Sequence, residues 1–370
     1  MRILACSNQN LSAFRTSFTR YAGLFAALDR RYDLVGFVRP QIPPREYYLR
    51  SLGSIHPRRA AWSARHSLSP WAFRRRSELA GTELAGWEGR YDVLLQLQTL
   101  FAPGSAPHAR PYAVYTDNIY PLTERFYPDW APLGRRRGAR WTALERAVCT
   151  DAEVVFTMSE FVRRAVIDEY GCEPARVVAV GGGTNLDPQS ISSKRDDRPV
   201  ALFVGDKFAI KGGETLLAAW PDVRRRVPGA ELRIVGPPAR RDSPEGVRWH
   251  GYVADRGELA RIYADASVFV MPSHFEAWGH AFQEAMAHGL PCIGTDQLAM
   301  PEIITDGVTG LLVPPRDAHA LADALTELLG SPGRARSMGR RAHVEIESAG
   351  RWDHVVDRMA PHVAVAAARG

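Results

Sequence analysis

Short apolar runs take turns with amphipathic stretches along the whole chain. Residues 3–6 and 34–38 predict two buried strands flanking a helix over 14–28. Runs at 92–97, 112–115, 154–158 and 177–180 predict further strands, and helical spacing over 139–149 and 160–170 separates the later ones. A second series opens at 200–204 and continues through strands at 231–235, 267–271 and 292–294. Helical patterns over 214–220, 259–264, 283–288 and 319–329 lie among them. Strands alternating with helices imply parallel sheets covered on both faces, an α/β class. The Ser-, Asp- and Pro-rich stretch 187–199 reads as a linker between domains over 1–186 and 200–350. Open parallel sheets take ligands beyond the carboxyl ends of their strands. Two such domains in tandem are expected to hold a site in the cleft between them.

Composition narrows the class. The chain has 370 residues, 45% hydrophobic and 24% charged, ordinary for a globular protein of more than one domain. No stretch approaches the ~18 consecutive apolar residues of a spanning helix. The opening strand turns polar at Ser7-Asn8-Gln9-Asn10, too early for a signal peptide. Cys6, Cys149, Cys172 and Cys292 are scattered, without metal or redox spacing, and a cytoplasmic setting is expected. No short-period repeat is present, which argues against solenoids and propellers.

Charge is uneven. Residues 1–185 hold 25 arginines against 17 acids, a net of +8, and the remainder carries −2. Arginine is densest over 45–76, interleaved with Tyr47, Tyr48, Trp62 and Trp71. Two readings stay open for this stretch: a solvated arginine-rich surface, or a face for an anionic acceptor or an anionic membrane. Nucleic acid is not expected, because no recognition motif accompanies the charge. Only three of the 47 basic residues are lysine, namely Lys194, Lys207 and Lys211. Two of them share one loop. An ammonium is a compact point charge and does not substitute freely for a guanidinium in a tight phosphate site.

Two constellations carry candidate chemistry. In the first, a strand ends at Gly205, a loop holds Asp206, Lys207 and Lys211, and Gly212-Gly213 open a helix. Glycines without Cβ would let an anion approach the backbone, and a helix N-terminus offers unpaired N–H groups. This is not a Walker A loop, whose spacing is absent. In the second, a strand runs through Met271-Pro272-Ser273 into a loop bearing Glu276. A helix follows, carrying Glu284 and closed by Gly289 with Pro291 beyond. Helical side chains lean toward the N-terminus, so Glu284 can reach a ligand lying over that end. Carboxylates accept hydrogen bonds from paired sugar hydroxyls. The bland alternative is that both acids serve only the helix dipole.

Glu276-x7-Glu284 after Pro272-Ser273, with Gly279 three residues past the first acid, resembles the donor signature of retaining GT-B glycosyltransferases of family 4. Leu232–Gly236, Trp249–Val253, Tyr263–Ala266, Pro301–Ile304 and Thr309–Val313 agree in order and spacing, strongly over 150–330 and loosely before. The resemblance implies two Rossmann-like domains facing across a deep cleft, with a terminal helix over 351–370, containing Trp352, returning to the first. It implies a nucleoside-diphosphate sugar as co-substrate, a hydroxyl-bearing acceptor, and neither cofactor nor metal. Glu284 would hold the ribose and Glu276 a hydroxyl of the transferred sugar. Trp278, Gly279, His280 and Ala281 would offer backbone amides, and Lys211 would hold the diphosphate. Gly205 would flank it, and Tyr252 and Val253 would lie near the nucleobase.

Departures from the pattern fall on both sides of the reaction. Asp206 stands where the family usually has arginine, with Lys207 next to it as a substitute. Asp117 stands where many members have histidine, which makes it a candidate to bind or deprotonate the acceptor; a turn-forming role fits it equally. Ser7–Ser12 replaces a glycine-rich loop. The expected reaction is sugar transfer with retention, in glycan, glycolipid or natural-product synthesis. A related phosphorylase or epimerase and a non-catalytic nucleotide-sugar binder are the rivals. A dinucleotide oxidoreductase lacks its Gly-x-Gly-x-x-Gly after either opening strand.

Overall fold

The computed structural model describes residues 1–8, 21–52, 55, 59–103, 111–185 and 198–368. The linker expected over 187–199 falls almost wholly outside these residues, as do Lys194, most of Ser7–Ser12 and the first half of the helix expected over 14–28. The chain forms two compact units, Met1–Gly181 with Trp352–Gly370 and Gly182–Arg351.

In the first unit β1 (Arg2–Cys6), β2 (Asp33–Val38), β3 (Val93–Leu97), β4 (Tyr112–Thr116), β5 (Val154–Thr157) and β6 (Val177–Ala179) form one sheet. Its order is β2-β1-β3-β4-β5-β6, with every paired neighbour parallel. β3 is buried along its whole length, the mark of a central strand covered on both faces. The helix Glu160–Tyr170 falls where its periodicity predicts. Ser159 caps its start by accepting from the Val162 amide, and Gly171 ends it in the left-handed region. The helix Trp352–Ala368 belongs to this unit. Trp352 packs edge-on against Tyr21 and Tyr115, Arg358 donates to the Val180 carbonyl at 2.8 Å, and Asp353 pairs with Arg30.

Helices Pro44–Ser51, Arg59–Ser67 and Pro70–Ala85 occupy the arginine-rich stretch. Much of its charge is used internally. Arg75 pairs with Glu46 and Glu78, Arg65 donates to the Pro132 carbonyl, and buried Arg76 reaches the Leu100 carbonyl. No described helix is long and apolar enough to cross a membrane.

The second unit carries β7 (Val200–Val204), β8 (Glu231–Val235), β9 (Val247–Gly251), β10 (Val268–Val270), β11 (Cys292–Thr295) and β12 (Gly310–Val313). Their order is β12-β11-β10-β7-β8-β9, again all parallel. The chain winds outward from β7 to β9, then returns to the other side of β7 with β10. The reversal puts a crevice at the carboxyl ends of β7 and β10, where doubly wound sheets bind ligands. The helix expected to stop at Trp220 runs over Gly213–Arg226, through Pro221. Pro221 is solvent-exposed, so the missing N–H and any local bend fall on the outer face.

Candidate functional site

The two loops that meet at this crevice are the two constellations singled out in the sequence. The first leaves β7 at Gly205, makes a helical turn in which the Lys211 amide bonds the Lys207 carbonyl at 3.0 Å, and enters the helix at Gly212. The second leaves β10 at Met271 and reaches the helix His280–Ala287 through Gly279. Their backbones are joined where the His274 amide donates to the Ile210 carbonyl at 2.8 Å.

The glycines act differently from the expectation that they bare the backbone to an anion. Gly212 has φ +76°, and a Cβ there would sit 1.9 Å from the Pro272 carbonyl oxygen. A Cβ on Gly213 would fall 2.3 Å from the Phe208 ring. Both positions are filled by protein, so these glycines let the two loops close on one another and on the core. Gly289 has φ +67° just beyond the helix that ends at Ala287, the left-handed exit expected of it.

This closure brings two of the candidate residues together. The Lys211 ammonium donates to Glu276 Oε2, with side-chain exposures of 22% and 10%. In a partly buried pair of this kind each charge offsets the other. Glu284 projects from the following helix. Arg256 Nη2 donates to its Oε1 at 2.9 Å, and the Tyr263 hydroxyl to its Oε2 at 3.2 Å. One partner per oxygen leaves lone pairs on both for further donors. Burial and the Glu284 charge hold the Tyr263 phenol well above its ordinary pKa, so it remains a donor. His288 stacks on Tyr263 at 5.1 Å and bonds the Glu284 carbonyl through Nδ1, which fixes the ring behind the carboxylate.

The remaining candidates are distributed around these groups. Trp278 Nε1 donates to Gln283 Oε1 at 3.1 Å, and Gly279 N-caps the helix, with His280 and Ala281 in its first turn. Amides of a first turn have no partner within the helix. Lys207 is half-exposed with Asp206 3.7 Å away. Tyr252 is 81% exposed beyond β9, and Val253 packs partly into the core. Asp117 belongs to the first unit, where Gln98 Nε2 approaches its Oδ1 at 3.5 Å. Among the described residues no His, Cys, Asp and Glu cluster suits a metal ion, and all four cysteines are buried thiols.

Arg256 is the site residue that sequence reasoning missed. A signal was present: Asp255 precedes it, and Asp255 Oδ1 accepts from the Glu258 amide at 2.6 Å. That cap starts the helix Arg256–Ala264 and sets Arg256 at its first position.

Residues 19–188 match Glycosyltransferase Family 4 and residues 198–331 match Glycosyl transferases group 1. The GDP-mannose-dependent alpha-(1-6)-phosphatidylinositol monomannoside mannosyltransferase of Mycolicibacterium smegmatis is 32% identical over 56% of this chain and 66% of its own length. The D-inositol 3-phosphate glycosyltransferase of Corynebacterium aurimucosum is 28% identical over 54% of this chain and 53% of its own. The matched segments thus span about half to two thirds of these relatives. Among solved structures, the sucrose-phosphate synthase of Thermosynechococcus elongatus superposes with a TM-score of 0.72 at 19% identity, over 100% of both chains. Anabaena HepE in complex with UDP-glucose gives 0.64 at 13% identity, over 99% of this chain and 100% of that one.

Proposed function

Because this chain belongs to the family 4, group 1 glycosyltransferases, we propose that it moves a sugar from a nucleoside-diphosphate sugar to an acceptor hydroxyl with retention at the anomeric carbon. The observation that carries the reading is the joining of Lys211 to Glu276 at the switch point between β7 and β10. A nucleoside-diphosphate sugar satisfies both halves of that pair at once. Its diphosphate takes the ammonium, and a sugar hydroxyl takes the carboxylate. Glu284, steadied by Arg256 and Tyr263, accepts from the ribose hydroxyls. The amides of Trp278–Ala281 face phosphate and sugar.

In the step itself, the bond from the anomeric carbon to the phosphate oxygen breaks and its electron pair stays on the diphosphate. The acceptor oxygen bonds the same carbon on the same face, and its proton passes to the leaving phosphate. Lys211 and the helix N-termini stabilise the charge that builds there, and a preorganised donor of this kind contributes ~3–4 kcal/mol. Lysine thereby serves where a divalent cation acts in other transferases. A thermal-shift and turnover panel of UDP-, GDP-, ADP- and dTDP-sugars tests this reading. One donor is expected to stabilise the fold by about 2.7 kcal/mol at ~100 times its dissociation constant and to be consumed in the presence of acceptor. Stabilisation without transfer or hydrolysis would leave only a binding protein.

The reading includes a cytoplasmic location with peripheral contact at the anionic inner face of a membrane. Tyr48, Leu49, Leu52 and Ile55 are each more than 60% exposed, and Arg45 and Arg50 are exposed in the same segment. Apolar side chains among cations suit such a surface. Co-sedimentation with phosphatidylglycerol vesicles, lost in Leu49→Ser, is the expected outcome; equal partition of both proteins would contradict it.

A further inference from the structure

Three carbonyls in a row, at Val180, Gly181 and Gly182, each accept a side-chain donor where the chain passes from the first unit to the second. Arg358 Nε reaches Val180 at 2.8 Å, the Tyr115 hydroxyl reaches Gly181 at 2.8 Å, and Gln283 Nε2 reaches Gly182 at 2.6 Å. The first two bonds lie within the first unit and the third within the second. Gln283 differs from the other two holders, because its Oε1 also accepts from Trp278 Nε1 at 3.1 Å, in the loop assigned to the donor phosphates. We propose that Gln283 is a positioning residue through which the order of the donor loop and the order of this crossover depend on one another. The relay stands on its own bonds; only the choice of a nucleoside diphosphate as its trigger rests on the transferase reading.

Gln283 lies in the helix His280–Ala287 and is 3% exposed, while its neighbours Phe282, Ala285 and Met286 belong to the apolar core. A leucine would fill such a place without desolvating an amide. The amide here has both ends bonded. Those ends cannot exchange, since an indole N–H only donates and a carbonyl only accepts. Removing the side chain would take a partner from the half-buried indole and from the carbonyl of buried Gly182.

The run that Gln283 holds is loose by composition. Gly181, Gly182 and Gly183 are consecutive, and glycine loses more freedom on ordering than any other residue. Gly181 uses that freedom at φ +78°. Beyond them the Thr184 amide donates to the Gly350 carbonyl at 3.0 Å, and Thr184 bridges Arg351 in parallel. A glycine run of this kind takes its course from the side chains that hold it. At the other end of the relay, Trp278 directly precedes Gly279, the N-cap of the helix, and heads the amides of Trp278–Ala281. A phosphate on those amides fixes the Trp278 indole, through it the Gln283 amide, and through that the Gly182 carbonyl. Coupling of this sort acts equally in both directions.

Hydrogen–deuterium exchange of the full chain, read by mass spectrometry over residues 180–185, tests the relay. Trp278→Phe removes the indole N–H and leaves the Gln283–Gly182 bond, whereas Gln283→Leu removes both bonds. In the free protein, exchange over 180–185 is expected to rise about threefold in Trp278→Phe and about tenfold in Gln283→Leu. Added GDP or UDP, whichever binds, is expected to slow exchange there about fivefold in the wild type. In Gln283→Leu that slowing should vanish while slowing over 278–284 persists, a split that a purely structural loss would not give. Tyr115→Phe, which releases the Gly181 carbonyl and leaves the Trp278–Gln283 link in place, should loosen the same run and keep the nucleotide response. Crossover exchange that ignores Trp278→Phe overturns the proposal even if Gln283→Leu does not fold. A nucleotide response that survives Gln283→Leu, that is lost in Tyr115→Phe, or that is missing from the nucleotide-bound wild type overturns it equally. If neither nucleotide binds, the transferase reading falls, and the free-protein comparison still decides the relay.

Discussion

Glu276→Gln separates the two jobs assigned to the Lys211–Glu276 pair. In the wild type the Glu276 side chain is 10% exposed and neutralises an ammonium that the diphosphate is meant to use. Binding a nucleoside diphosphate without its sugar therefore draws Lys211 away from Glu276. The attraction forfeited when the pair opens is sizeable, since unit charges ~4 Å apart interact by about 4 kcal/mol at an effective dielectric of 20. Most of this is regained on the phosphates, and glutamine can still accept a hydrogen bond from Lys211. Isothermal titration of Glu276→Gln is thus expected to show GDP or UDP binding about tenfold tighter, or ~1.4 kcal/mol. Sugar transfer should move the opposite way. Loss of a charged acceptor for a sugar hydroxyl forfeits about 1.5–3 kcal/mol, a fall of roughly ten- to a hundredfold in turnover. Tighter nucleotide with slower transfer is the signature. Unchanged or weaker nucleotide binding would refute the reasoning that the diphosphate competes with Glu276 for Lys211.

Three further outcomes follow from the same geometry. Gly212→Ala should cost about 2–4 kcal/mol in chemical denaturation, since it adds a Cβ against the Pro272 carbonyl at positive φ; a neutral effect would mean that the loops do not close as described. Arg256→Gln, which frees one oxygen of Glu284, should raise the donor KM about tenfold with kcat nearly unchanged, and a matching fall in kcat would instead place Arg256 at the transition state. Burial holds the imidazoles of His66, His250 and His274 below their ordinary pKa, with nearby arginines adding to the effect. The unfolded chain therefore takes up these protons first as pH falls below about 6.5, and stability declines toward pH 5. His66→Phe should reduce that slope by up to about 1.4 kcal/mol per pH unit, and an unaltered slope would contradict the assignment.

Elements buried on both faces were legible in the sequence. β7 is a continuous apolar run, β3 is one broken only by Gln96, and the helix Glu160–Tyr170 carries its own start and stop in Ser159 and Gly171. The strands that escaped, β9 and β12, are the two edges of the second sheet. Arg248 and His250 break the run in β9, and β12 opens on Gly310 with only three apolar side chains behind it. The helices over Pro44–Ala85 were hidden because arginine density masks periodicity where side chains such as Arg75 and Arg76 are paired or buried. At the site, acids and lysines could be read from spacing. The packing use of Gly212 and Gly213 could not, because it depends on Pro272 and Phe208 arriving from elsewhere in the fold. The link from Arg256 to Glu284 depends likewise on two helices meeting.

A crystal structure of the chain with GDP or UDP bound reaches the centre of this account. The account predicts a diphosphate within hydrogen-bond reach of Lys211 Nζ and of the amides at the start of His280–Ala287, with the ribose hydroxyls on Glu284. A nucleotide seated elsewhere, with the Lys211–Glu276 pair undisturbed, would contradict it.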